Sequence, residues 1–143
     1  MSYKSQKGKR GEYEFGEFLT EALKRWGYRF KRVGNPEKNK ISLFGDVVID
    51  KTTDRQSKCF LQRYFLEVKN HASPDLWAIM REAEENANKY NKHGAIAYVI
   101  KQKAKEGQRG GNMFLNKGER LIVMMPETFK RIICELQGFI NGE

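Results

Sequence analysis

Apolar side chains recur at helical spacing in three stretches of the chain. After a short basic leader, residues 11–26 carry apolar residues three and four positions apart, and Gly27 follows them. A second stretch opens at Ser73-Pro74-Asp75, and a third begins at Pro126. Apolar residues at this spacing form one stripe along a helix that faces a core. The pattern therefore predicts three amphipathic helices.

Shorter apolar or alternating runs between the helices predict strands. The candidates are Tyr28 to Val33, Asp46 to Asp50, Phe60 to Lys69, Ala95 to Ile100, and a hairpin of Met113 to Leu115 with Leu121 to Met125. The polar segment KTTDRQSK separates the second and third candidates, which predicts a turn and an antiparallel hairpin. With the last hairpin counted as one β element, the order α-β-β-β-α-β-β-α has no internal repeat. It predicts a single α/β domain over residues 1–143, with helices packed on a mixed sheet.

Charge adds the first indication of function. The chain of 143 residues contains 27 Lys and Arg against 18 Asp and Glu, a formal net charge of +9. A domain this basic attracts polyanions, because each phosphate that it neutralises releases condensed counterions. No apolar run approaches the length of a membrane-spanning helix, and the first ten residues lack the apolar stretch of a signal peptide. We therefore expect a soluble cytoplasmic protein that binds a polyanion and has no membrane partner.

Cysteine and histidine are scarce, which limits the possible chemistry. The two cysteines are predicted to be reduced, and Cys134 lies at helical core spacing. The chain has two histidines and no C-x-x-C motif, which are few ligands for a zinc site or for a histidine-based nuclease site. The chain also lacks the glycine-rich GxxxxGK[ST] loop that cradles nucleotide phosphates, so no nucleotide cofactor is expected.

The segment Phe65-Leu66-Glu67-Val68-Lys69 ends an apolar strand with an acid and a base. Because side chains alternate across a strand, Glu67 and Lys69 are predicted to lie on one face and Val68 on the other. An E-x-K pair by itself is most often an ordinary solvated strand face. The interpretation therefore depends on what lies beside it.

Strand register predicts that Asp46 lies beside Glu67 and Lys69. If Asp46 faces Glu67 in an antiparallel hairpin, the turn falls between Gln56 and Ser57, in the middle of the polar segment. The same register sets Asp50 opposite Arg63 as a charge pair. Two adjacent carboxylates repel each other unless a cation lies between them. With a lysine alongside, the pair predicts a Mg²⁺ site and suits phosphodiester hydrolysis, in which a metal ion activates water and Lys69 assists.

Helix phase distinguishes Glu12 from the other acids of the first helix. It lies about 50° from the centre of the apolar stripe, whereas Glu14, Glu17 and Glu21 lie about 110° or more away. Glu12 is therefore predicted to lean toward the protein interior. The alternative is that it only opposes the helix dipole, as acids in a first turn commonly do.

These residues resemble the PD-(D/E)XK nucleases. The shared motifs are the basic stretch Lys7 to Glu12, the triplet Gly45-Asp46-Val47 and the strand end Leu66-Glu67-Val68-Lys69. Within that superfamily the KGxxxE spacing is most similar to the archaeal-type Holliday junction resolvases, enzymes of DNA recombination and repair. The resemblance covers roughly residues 4–100. It implies a restriction-endonuclease-like α-β-β-β-α-β core, a central mixed sheet flanked by helices, with a C-terminal hairpin strand and helix added.

The resemblance also implies particular roles. Asp46 and Glu67, helped by the carbonyl of Val68, would bind Mg²⁺, for which Mn²⁺ could substitute. Glu12 would be an additional acid near the metal, and Lys69 the catalytic lysine, which makes Glu12, Asp46, Glu67 and Lys69 the catalytic set. The family further implies a homodimer that cuts two strands symmetrically across a four-way junction.

Basic residues on both sides of these acids are predicted to contact DNA phosphates. They are Lys7, Lys9, Arg10, Arg32, Lys38 and Lys40. The alternative for each is a solvated surface charge, although basic runs in a chain of +9 exceed what solubility requires.

Two other interpretations stay open at the level of sequence. One keeps the nuclease and changes the substrate to flaps, nicks or single strands; a symmetric dimer would distinguish them, since junction resolution needs twofold symmetry. The candidate dimer surfaces are Leu136, Phe139 and Ile140 with the strand Leu121 to Met125, and burial inside the monomer is equally compatible. The other interpretation is a basic DNA-binding module without catalysis.

Overall fold

A computed structural model describes residues 3–33, 45–49, 59–101 and 119–141. The elements, in chain order, are α1 (Tyr3–Ala22), β1 (Phe30–Arg32), β2 (Val47–Ile49), β3 (Phe65–His71), α2 (Leu76–Lys89), β4 (Ala95–Lys101), β5 (Glu119–Val123) and α3 (Pro126–Asn141). Within these ranges, 3-10 turns occur at Lys24–Trp26 and Phe60–Arg63. The predicted α/β class is confirmed, and the elements within the described residues follow the predicted order. The predicted strand Met113 to Leu115 lies outside the described residues.

The strands form two small sheets. The first contains β1 and β2, paired antiparallel, and the second has the order β3-β4-β5. Within the second sheet β3 and β4 are parallel, with α2 as the crossover between them, and β4 and β5 are antiparallel. A single parallel bridge between Gly45 and Leu66 links the chain just before β2 to β3. This bridge brings the predicted site residues together.

β4 has a core on each of its faces. Ile96, Tyr98 and Ile100 belong to a cluster that includes residues of α1, β1 and β2, and Phe139 of α3 packs against that cluster. The alternating residues of β4 lie in a second cluster under α2. A strand buried on both faces needs a continuous apolar run rather than an alternating one, which explains the sequence AIAYVI.

The basic leader is not separate from the first helix. We predicted a helix from Gly11, but α1 begins at Tyr3 and carries the lysines of the leader in its first turns. Lys, Gln and Arg are good helix formers, so nothing before Gly11 except Gly8 opposes the helix. The α-helix ends at Ala22, before the predicted Trp26; a 3-10 turn continues to Trp26, and the predicted stop, Gly27, takes a left-handed φ of 81°.

The predicted hairpin between Asp46–Asp50 and Phe60–Lys69 is wrong. β2 pairs with β1, and β3 pairs in parallel with β4. Phe60 and its neighbours form a 3-10 turn whose apolar side chains are buried in the core, so the chain does not continue there as a strand. Arg63 lies 3.8 Å from Glu135 of α3, not beside Asp50, which is outside the described residues.

Two contacts of helix α3 with the rest of the domain involve the ring of Phe139 and the carboxylate of Glu135. The ring of Phe139 lies 5.4 to 5.9 Å from the rings of Trp26, Tyr28 and Phe60. The carboxylate of Glu135 accepts a hydrogen bond from the hydroxyl of Tyr64 (3.0 Å) and lies 2.8 Å from Nδ1 of His93. Burial raises the pKa of the Tyr64 hydroxyl, and the Glu135 carboxylate adds to that effect.

Both cysteines are free thiols, as predicted, but they occupy different environments. Cys59 is buried, and its burial raises the pKa of the thiol to about 11. Cys134 is exposed, which corrects the prediction that it packs in a core. The reason is the rotation of α3, which directs Phe139 and Leu136 inward and leaves Cys134 outward. Among the described helices, none combines the length and apolar character needed to cross a membrane.

Candidate active site

Asp46 is fixed to β3 by two hydrogen bonds on either side of Glu67. The backbone N–H of Asp46 donates to the carbonyl of Leu66 (2.7 Å), and Oδ2 of Asp46 accepts from the backbone N–H of Val68 (2.8 Å). The residue is 7% exposed. Asp46 therefore lies beside Glu67, as predicted, but a parallel bridge rather than a hairpin register places it there.

Gly45 makes this close approach possible. Its φ is +88°, and a Cβ atom at this position would lie 2.2 Å from the carbonyl oxygen of Leu66. No L side chain fits so close to backbone, and the left-handed conformation is itself unfavourable for any residue with a Cβ. The glycine before the acid is therefore required by geometry.

We expect Gly45→Ala to separate Asp46 from β3 and to destabilise the protein by about 2–4 kcal/mol. Gly27→Ala is the matched control, because Gly27 is also left-handed (φ 81°) but a Cβ there meets nothing within 4 Å. That variant should cost about 1 kcal/mol. Urea denaturation measures both losses, and titration calorimetry with Mg²⁺ should show weakened binding in Gly45→Ala alone. Equal losses of stability and unchanged Mg²⁺ affinity in both variants would refute the close approach at Gly45.

Glu67 is a buried acid with a second acid in contact. The residue is 8% exposed, and its carboxyl group is hydrogen-bonded to that of Asp46. Burial raises the pKa of Glu67 to about 8, with further contributions from the negative charge of Asp46 and the hydrogen bond to it, and Lys69 opposes the shift. Near neutral pH Glu67 therefore favours its protonated form. A cation that replaced this proton would relieve the repulsion between them.

Lys69 is the basic residue beside the carboxyl groups of Asp46 and Glu67. Its Nζ lies 3.8 Å from Oε1 of Glu67 and 3.5 Å from Oε1 of Glu82. The predicted alternation along β3 is confirmed, since Gly11 of α1 approaches Val68 on the opposite face. Glu82, on α2, was not predicted. The helical pattern indicates which face of α2 is buried, but not which strand residue its flank meets.

Glu12 leans inward, as its helix phase predicts, with a side chain 12% exposed. Its carboxylate pairs with Arg32, at 3.1 Å from Nε, and the Arg32 guanidinium lies over the ring of Tyr13 at 5.6 Å. Within the ranges the structure describes, no group of three or more His, Cys, Asp or Glu side chains could hold a metal ion. Asp46 and Glu67 thus form a pair without a third such residue, and the role of Glu12 beside a metal stays a prediction.

The predicted DNA contacts are distributed unevenly over the described structure. Lys7 and Lys9 lie in the first turns of α1, and Arg10 follows them with an exposed side chain. Arg32 is half-buried against Glu12. Lys38 and Lys40 lie outside the described residues. These assignments remain predictions.

The pair of carboxylates suits a magnesium ion. Mg²⁺ takes one or two protein carboxylates and keeps several waters for the remaining positions, so two acids suffice. The raised pKa of Glu67 indicates that the pair is unstable as two free anions, which favours a cation there. No protein-family model, curated protein or solved structure matches the chain. The function is therefore inferred from the geometry of these side chains.

Proposed function

We propose that the protein is a metal-dependent, structure-selective DNA endonuclease with a restriction-endonuclease-like fold. One observation carries the proposal: two buried carboxyl groups, Asp46 and Glu67, lie side by side within reach of Lys69 at the end of an apolar strand. Burying two like charges together costs stability, so the arrangement is explained by a cation that binds between them. A lysine beside such a cation matches the needs of phosphate chemistry.

Each residue has a part in hydrolysis of the phosphodiester bond. Asp46, Glu67 and the carbonyl of Val68 would hold Mg²⁺ or Mn²⁺, with Glu12 as the additional acid. A divalent ion bound there acidifies water and offsets the charge that develops on the phosphate. Lys69 then orients or deprotonates the attacking water and stabilises the negative phosphate oxygens.

DNA is the proposed substrate because of the charge of the chain. A net charge of +9 attracts a phosphate backbone. Lys7, Lys9 and Arg10 precede Glu12 on α1, and Arg32 is paired with that same acid. Phosphate contacts of this kind position DNA without determining its sequence, which suits recognition by shape.

A four-way junction is the preferred substrate, and the protein would cut it as a homodimer. Apolar side chains that are exposed on β5 and α3 support a second copy as partner: Leu121, Ile122, Met125, Phe129, Ile133 and Ile140. Exposed apolar residues so close in the chain are typical of interfaces. Of the dimer candidates predicted from sequence, Leu136 and Phe139 instead pack within the monomer.

The experiment is cleavage of a labelled four-way junction beside matched linear duplex, flap, nicked and single-stranded DNA. Wild type and Asp46→Asn are compared with Mg²⁺ and with EDTA. Symmetric, metal-dependent cutting of the junction that Asp46→Asn loses is the expected result. Cleavage of flaps, nicks or single strands but not of the junction would support the proposed active site and refute the four-way junction as substrate. If the protein binds DNA tightly but cleaves no substrate, and Asp46→Asn binds equally tightly, the protein would be a DNA-binding module and not a nuclease.

A further inference from the structure

Lys69 has two carboxylate neighbours, not one. Glu67 belongs to the same strand, whereas Glu82 reaches it from α2, at 3.5 Å from Nζ. The two acids differ in environment: Glu67 is buried, and the Glu82 side chain is 62% exposed. Glu82 therefore approaches the proposed site from its solvent side.

The position of Glu82 is set by the packing of α2. Asp75 caps this helix, accepting a hydrogen bond from the backbone N–H of Ala78 at 3.1 Å. Ile79 and Ala83 are buried on the sheet, and they fix the rotation of α2 about its axis. Glu82 is left on the flank that faces Lys69 of β3. A rigid helix thus presents the acid, so its carboxylate is a defined neighbour of the ammonium group.

A lysine at a reaction centre needs such a neighbour. Its four-carbon stem has many rotamers, and fixing them costs conformational entropy. Lys69 is only 25% exposed, and its ammonium group lies within 4 Å of two carboxylates on different elements. Two anchors restrict the ammonium group to the space between β3 and α2, next to the Asp46–Glu67 pair.

We propose that Glu82 is a positioning residue for Lys69, an inference that rests on the proposed nuclease function. It holds the Lys69 ammonium group beside Glu67, in place for the attacking water and the phosphate. Being exposed and negative, Glu82 also opposes the approach of DNA. Its two effects on the enzyme have opposite signs: it favours the chemical step and disfavours binding.

These opposite signs predict a result that general damage to the fold would not give. Glu82→Gln keeps the size of the side chain and removes its charge. Cleavage under single-turnover conditions should slow by about two- to fivefold, the range expected for an exposed ion pair. DNA binding, measured in EDTA where cleavage does not proceed, should be unchanged or tighter by about the same factor. Damage to the fold would weaken both together.

Glu85→Gln is the matched control, since Glu85 is exposed on the same helix and its replacement changes the net charge equally. Glu82→Asp keeps the charge on a shorter side chain and should restore part of the rate with wild-type binding. If Glu82→Gln lowers the melting temperature, Glu82→Asp serves as the test variant in its place.

Slower cleavage with equal or tighter binding in Glu82→Gln, and neither change in Glu85→Gln, would support the positioning role. A cleavage rate equal to that of Glu85→Gln would overturn it, and so would a loss of rate accompanied by weaker binding. The proposed function fails in a different way: wild type itself then cuts none of the DNA substrates, and the role of Glu82 in cleavage is rejected with it.

Discussion

Replacing Lys69 with methionine is expected to slow DNA cleavage by about 100- to 10,000-fold, the usual contribution of a positioned proton-transfer group. Methionine fills similar space without a charge or a proton. The Asp46–Glu67 pair would remain in place, because its hydrogen bonds to β3 do not involve Lys69. The loss should therefore appear in the rate of the chemical step and not in the fold.

The control for this variant is Lys130→Met, which removes one positive charge from an exposed position on α3. Both variants lose the same net charge, so a general weakening of DNA binding affects them alike. Because Lys69 lowers the pKa of Glu67, the rates should be compared over a range of pH, so that a change in the ionisation of Glu67 is distinguished from the loss of the lysine. Single-turnover rates within threefold of each other for the two variants would refute a catalytic role for Lys69.

The features that could be predicted from sequence are those that depend on local periodicity. The apolar stripe of α2 and the Asp75 cap are both observed. The alternation that places Glu67 and Lys69 on one face of β3 is also confirmed, because strand geometry fixes it. Helix phase was enough to direct Glu12 inward. In each case the relevant neighbours lie within one element.

The features that could not be predicted join elements that are distant in the chain. The position of Asp46 beside Glu67 was correct, but the hairpin that led to it was wrong. The parallel bridge at Gly45 depends on how β3 pairs with β4, and no local pattern encodes that choice. The contact of Glu82 with Lys69 likewise depends on the height at which α2 crosses β3. One local signal was available: a glycine directly before a buried acid indicates a close approach of backbone.

The second prediction concerns the ionisation of Glu67 beside Asp46. The pKa of Glu67 is raised from 4.5 to about 8 in the folded protein, so the native state holds a proton that the unfolded state releases between those values. Stability in the absence of metal should therefore fall as pH rises from about 4.5 to 8, and the full loss should be present above 8. For a shift of this size the loss is on the order of 3–5 kcal/mol.

Glu67→Gln isolates this effect, since glutamine fills the same space and does not titrate. Urea denaturation of both proteins in EDTA, at pH 5 and pH 9, should show a difference that grows with pH in favour of the variant. Other titrating groups are common to both proteins and largely cancel. A difference that stays constant between pH 5 and 9 would mean that Glu67 is already ionised at the lower pH.

The affinity for Mg²⁺ should depend on the same proton, but it should rise with pH where the stability of the metal-free protein falls. Because Mg²⁺ needs the ionised carboxylate, its binding below pH 8 must release the proton, and affinity should rise about tenfold per pH unit until it levels off near 8. Titration calorimetry in two buffers of different ionisation enthalpy counts the protons released. One proton per Mg²⁺ at pH 7, and close to none at pH 9, would identify the Asp46–Glu67 pair as the metal site. A release that does not depend on pH would place the metal elsewhere, while Asp46 and Glu67 would remain a buried pair that stabilises the protein at low pH.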